Sequence, residues 1–309
     1  MLLIYLVYKY YSISLNISNY LNKHNMGFEL TEILNIRDLG IKKFHPVGPL
    51  VFTDENNVWI PNRYGPALKL NTESKQIILE TGPKNETFTV QAFSANGNET
   101  AFFGVSPGAD VGGNFFGLGY TPDSSFVFQS APQIFEAAYL DQTLYLIDGS
   151  GQVYYSRPED IGDMPNFRTI TQIHGRNMIG GSLVGSSINL AYLTIPYEKP
   201  FATPSNTGRI IILDNSMSTI NEIHIGKHNG ALSLLEDRVI VGTPDLKSND
   251  IGLLTSYDIH TGAQLNQTEY DSSKGYIVSL GISESKMVGI SHSYKETTPR
   301  FFVFENIDQ

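Results

Sequence analysis

The chain has 309 residues, a net charge of −10 at pH 7 and no cysteine. Lys42-Lys43 is its densest basic pair, which weighs against nucleic acid, because phosphate binding needs clustered Lys and Arg. The missing cysteine excludes disulfides, thiol nucleophiles and Cys-ligated metals.

Residues 1–25 differ in composition from the rest. Met1–Tyr8 is apolar but too short to span a bilayer, and no basic stretch or small-residue cleavage site frames it as a signal peptide. It reads as an N-terminal extension, with 26–309 as one domain, and it decides nothing between a cytoplasmic and a secreted protein. No membrane span is expected. Phe28–Leu39 then alternates apolar and polar residues (Phe28, Leu30, Ile33, Ile36) and precedes the first full repeat.

From residue 44 onward one unit recurs: an apolar run, a polar turn, a second strand-like run and a looser polar hairpin. Its openings are Gly48-Pro-Leu-Val-Phe, Val90-Gln-Ala-Phe, Phe135-Glu-Ala-Ala-Tyr, Ile179-Gly-Gly-Ser-Leu, Asn229-Gly-Ala-Leu-Ser-Leu and Gly275-Tyr-Ile-Val-Ser-Leu. They are spaced by about 42 to 50 residues, the period of a four-stranded propeller blade. Turn signals fall where hairpins need them, at Asn96-Gly97, Asp148-Gly149 and Thr261-Gly262. The 11% aromatic content, with 17 Tyr and 17 Phe, suits pleated strands. These observations predict an all-β, six-bladed propeller with four-stranded antiparallel blades. Phe28–Leu39 is expected to close the ring as the outer strand of the last blade, paired with Phe301–Phe304, since closure removes two free sheet edges.

Three of the openings carry a resemblance. Gly48-Pro49-Leu-Val…Val58-Trp59-Ile60-Pro61, Phe135-Glu-Ala-Ala-Tyr…Leu144-Tyr-Leu-Ile-Asp148 and Asn229-Gly230-Ala-Leu-Ser…Val239-Ile-Val are similar to blades of the senescence-marker-protein/gluconolactonase family. That resemblance implies a metal-dependent lactonase whose polar blade-opening residues bind one divalent cation in the channel. Here Val47 and Phe135 stand at two of those positions and Asn229 alone is polar. Hard cations need several oxygen ligands, so no metal and no other cofactor is expected. The architecture is also similar to that of strictosidine-synthase-like propellers, which implies a metal-free channel pocket with one carboxylic acid and apolar walls.

Candidate chemistry concentrates at the blade openings. Glu136 lies one residue past the expected inward position. With His45 and His228 it makes the candidate acid/base set, these being groups tunable toward neutral pH. His45, Glu136 and His228 also form a conceivable zinc set, although three polar residues at blade openings are ordinary. Phe135, Arg176, Asn177, Asn229 and Tyr276 are the candidate ligand-binding residues, with Arg176 able to clamp a carboxylate. Gly104–Gly113 lacks the Gly-Lys-Ser/Thr ending of a phosphate loop, and no Gly-x-Ser-x-Gly occurs. Two readings follow: a metal-independent enzyme or binder taking a small, partly apolar molecule at the channel mouth, or a scaffold binding a protein or glycan through loops 104–124, 156–168, 196–208 and 244–252.

Overall fold

The computed structural model describes residues 27–39, 44–83, 88–105, 115–128, 134–148, 151–156, 168–172, 178–186, 188–196, 208–226, 231–244, 251–292 and 299–306. They form six four-stranded antiparallel sheets arranged as a β-propeller. Blade 1 comprises β2 (Val51–Phe52), β3 (Asn57–Ile60), β4 (Ala67–Asn71) and β5 (Gln76–Thr81). Blade 2 comprises β6 (Thr89–Asn96), β7 (Glu99–Val105), β8 (Phe115–Tyr120) and β9 (Ser125–Phe128). Blade 3 comprises β10 (Ile134–Leu140), β11 (Thr143–Asp148), β12 (Gln152–Ser156) and β13 (Arg168–Gln172). Blade 4 comprises β14 (Met178–Gly185), β15 (Leu190–Pro196), β16 (Gly208–Leu213) and β17 (Thr219–Ile225). Blade 5 comprises β18 (Leu232–Leu235), β19 (Arg238–Pro244), β20 (Ile251–Asp258) and β21 (Gln264–Asp271). Blade 6 comprises β22 (Tyr276–Ile282), β23 (Lys286–His292), β24 (Arg300–Asn306) and β1 (Phe28–Asn35). The expected closure is present: β1 lies against β24 with Leu30 opposite Phe304 and Leu34 opposite Phe301.

The core is divided among the six seams between neighbouring blades. Trp59 and Phe102 meet between blades 1 and 2, Phe103 and Leu144 between 2 and 3, and Ile147 and Tyr192 between 3 and 4. Ile212 and Val239 meet between blades 4 and 5, Tyr270 and Phe302 between 5 and 6, and Phe301 and Leu70 between 6 and 1. The second and third strands of the blades therefore bury side chains on both faces, toward one blade on either side, and their sequences read as nearly continuous apolar runs. Near the axis the inner strands approach too closely for a side chain at two positions. A Cβ on Gly185 would lie 1.9 Å from the Tyr139 carbonyl oxygen, and one on Gly281 would lie 2.9 Å from Leu50.

Closure has a polar component as well. The Glu55 carboxylate, in the first hairpin turn of blade 1, accepts bonds from the Ser283 and Ser285 hydroxyls at 3.0 and 2.5 Å. It also accepts from the Glu284 and Ser285 amides at 3.2 and 3.1 Å. Lys286 donates to Asn56 Oδ1 at 2.6 Å beside them. This clasp ties the corresponding turn of blade 6 to blade 1.

Two sets of β-bulges recur. Inner strands carry an extra residue at Gln91, Phe135, Gly181 and Val278. Outermost strands carry one at Thr31, Ile78, Ile170, Ile220 and Leu265. A bulge bends the strand and interrupts regular pairing, so the outer set blunts edges that would otherwise template aggregation.

Candidate functional site

Each blade starts on one face of the ring, here the entrance face, and its first hairpin turn lies on the opposite, turn face. His45 sits on the entrance face, exposed, just before blade 1. A neighbour that the sequence reading overlooked completes its surroundings. The turn 61–66 between β3 and β4 presents Arg63 and Tyr64, both exposed. The His45 and Tyr64 rings meet edge-on at 5.1 Å, and the Arg63 guanidinium lies 6.0 Å from the centre of the Tyr64 ring. Buried Asn62 fixes the arrangement: its Oδ1 accepts from the His45 amide at 3.1 Å and the Tyr64 amide at 3.5 Å. The Arg63 amide donates to His45 O, and Arg63 O accepts from Val90, both at 2.9 Å. The Pro61…Gly65-Pro66 frame around Asn-Arg-Tyr is the sequence signal that marks this turn.

Glu136 goes elsewhere. In the bulged strand Ile134 pairs with Asp148 and Glu136 with Ile147, so these two residues face opposite sides of the sheet. Ile134 packs toward blade 2, while Glu136 turns toward blade 4 and is buried. Burial pushes its carboxyl up to about 8, against the opposing effect of a hydrogen bond from the Leu183 amide. Tyr192 is close enough for its phenol to be raised, by its own burial first and then by Glu136. Glu136 is thus an uncharged acid at neutral pH, bridging two blades. The extra residue, Phe135, is left 39% exposed.

The structure does not bring His45 and Glu136 together, since one is exposed at blade 1 and the other is buried between blades 3 and 4. Tyr276 is half-buried at the start of β22. Arg176, Asn177, His228 and Asn229 lie outside the described residues. Of the expected loops, 156–168, 196–208 and 244–252 lie outside the described residues but for their ends, and 104–124 is not one loop, since β8 occupies Phe115–Tyr120.

A cavity of about 360 Å³ occupies the turn-face half of the channel. Leu50, Ala138, Leu183, Val184 and Leu234 supply its apolar wall, and Ser94, Ser186, Ser233, Asn96 and Asp141 its polar groups. Glu136 does not line it.

No protein family matches the chain, and no curated protein matches its sequence. Solved structures do. The Neurospora crassa Pan2 WD40 domain is similar at a TM-score of 0.60 with 12% identity, covering 92% of this chain and 97% of that one. The Myceliophteria thermophila Cps50 (Swd1) β-propeller domain is similar at a TM-score of 0.54 with 8% identity, covering 90% of this chain and 99% of that one. The chain shares their propeller fold. The gluconolactonase resemblance receives no support from these comparisons. The side chains at two of its metal positions also depart from it. Val47 packs on the seam that holds Trp59 and Phe88, and neither it nor Phe135 has an atom that coordinates a cation. Among the described residues no three His, Cys, Asp or Glu side chains cluster as metal ligands. The lactonase cation therefore does not fit these positions.

Proposed function

We propose that this propeller is a non-catalytic interaction scaffold that binds a carboxylate-bearing segment of a partner protein on its entrance face. The Tyr64–Arg63–His45 patch carries this reading. Tyr64 is 48% exposed, and the Arg63 guanidinium makes no ion pair among the described residues, although the chain carries ten more negative than positive charges. Tyr and Arg are the residues most enriched where binding energy concentrates. The Asn62 bonds fix the backbone beforehand, so little order is lost on binding. A guanidinium held by an aromatic face offers its donors to a carboxylate. The fold likeness to a WD40 domain supports a scaffold over an enzyme.

Fluorescence anisotropy with labelled acidic, neutral and basic peptides of equal length tests it. The acidic peptide should bind best. Tyr64→Ala should weaken it at least tenfold and Arg63→Glu should abolish it, with melting temperatures unchanged and Asp123→Asn on the turn face without effect. Equal binding of all three peptides, or an indifferent Arg63→Glu variant, would refute the reading.

A further inference from the structure

The turn-face cavity is a separate feature and does not depend on the entrance-face reading. All six blades line it. Its volume of about 360 Å³ falls within the range of small-molecule sites. Two of its three serines are committed: Ser94 Oγ accepts from the Tyr139 amide at 3.0 Å, and Ser186 Oγ bonds Asn189 O at 3.3 Å within its own turn. Ser233, on the inner strand of blade 5, is 5% exposed, lines the cavity and has no side-chain hydrogen bond among the described residues. Its hydroxyl is therefore available to a molecule in the cavity, as donor or acceptor.

The second observation is Asp141, at the hairpin turn of blade 3. Its backbone is held in place, with φ 54° and its carbonyl accepting from Asn96 Nδ2 of blade 2 at 3.1 Å. Its carboxylate is the one charged side chain among the described residues that line the cavity, and no cation among them pairs with it. The net charge of −10 adds to the attraction for a cation and repels anions. Asp141 is exposed, at the rim, and the rest of the lining mixes aliphatic side chains with serine and asparagine.

We propose that the cavity binds a small aliphatic ammonium ion, its charged head toward Asp141 and its polar hydrogens within reach of Ser233, with the hydrocarbon body against Leu50, Leu183 and Leu234. A carboxylate would be repelled by Asp141.

Titration calorimetry of the intact protein with n-butylammonium, n-butanol and butyrate at one ionic strength tests the assignment. Expected are saturable 1:1 binding of butylammonium, at least tenfold weaker binding of butanol, and none of butyrate. Asp141→Asn should weaken butylammonium at least fivefold and Ser233→Ala at least twofold, with Glu269→Gln on an outer strand as the unaffected control. Absence of saturable binding would leave a channel filled by water only and overturn the proposal. So would equal affinity for alcohol and ammonium, or binding unchanged by Asp141→Asn.

Discussion

Replacing Glu136 by glutamine isolates the buried acid between blades 3 and 4. An ordinary glutamate titrates near 4.5, and burial moves this one to about 8 in the folded protein. Because the folded value is raised, the folded state favours the neutral acid. The contribution of this group to stability is greatest below pH 4.5 and declines as pH rises from 4.5 toward 8, above which the penalty is complete. The gap corresponds to roughly 5 kcal/mol overall and about 3 kcal/mol at pH 7. The substituted amide would keep an oxygen for the Leu183 amide and cannot ionise beside Tyr192. Urea unfolding at pH 5, 6, 7 and 8 should show the native chain losing stability relative to the Glu136→Gln variant. At pH 8 the variant should melt roughly 5–10 °C higher, at a few degrees per kcal/mol. Parallel pH profiles for the two proteins would show that this carboxyl does not carry a buried acid's penalty, and the account of the bulge would fall with it.

Glu55→Ala removes the acceptor that joins the turns of blades 1 and 6 and should cost about 1–2 kcal/mol in thermal unfolding, the value being reduced because the turn is solvated. Burial acts to raise the Glu55 carboxyl, but the bonds from Ser285, Ser283 and Glu284 prevail and hold it below 4.5. Its contribution is thus present above pH 4.5 and lost as pH falls through the folded value; an alanine variant equally destabilised at pH 3 and pH 7 would contradict this. Removing residues 1–25 should leave a folded protein, whereas removing 1–40 takes β1 away and exposes the edge of β24. Aggregation is the expected result by light scattering, and a soluble, cooperatively melting 41–309 fragment would show that the ring closes without β1.

The second and third strands of the blades were legible in the sequence because they are apolar on both faces: Phe102-Phe103, Leu144–Ile147 and Ile210–Leu213 stand out. The outer strands were not. Gln264–Asp271 and Thr219–Ile225 are largely exposed and polar, so they resemble the loops they adjoin. Glu136 was visible as a candidate, yet its direction depends on the bulge at Phe135, and a bulge leaves no periodic signature when both sheet faces are buried. His45 was found from its position before blade 1. Its partners Arg63 and Tyr64 were overlooked because they belong to a turn 17 residues or more farther along the chain, joined to it by Asn62.

The pairing of β1 with β24 also sets an order of events during synthesis. Phe28, opposite Asn306, is made 278 residues before its partner. At roughly 5–20 residues per second, that strand waits about 15–60 s with its apolar side chains unmatched. Blades 1 to 5 each hold four consecutive strands and gain theirs as they emerge, so the last seam is the one exposed longest to other chains. A cell short of chaperone capacity would therefore lose this protein through the edge of blade 6 while the other five blades were already built.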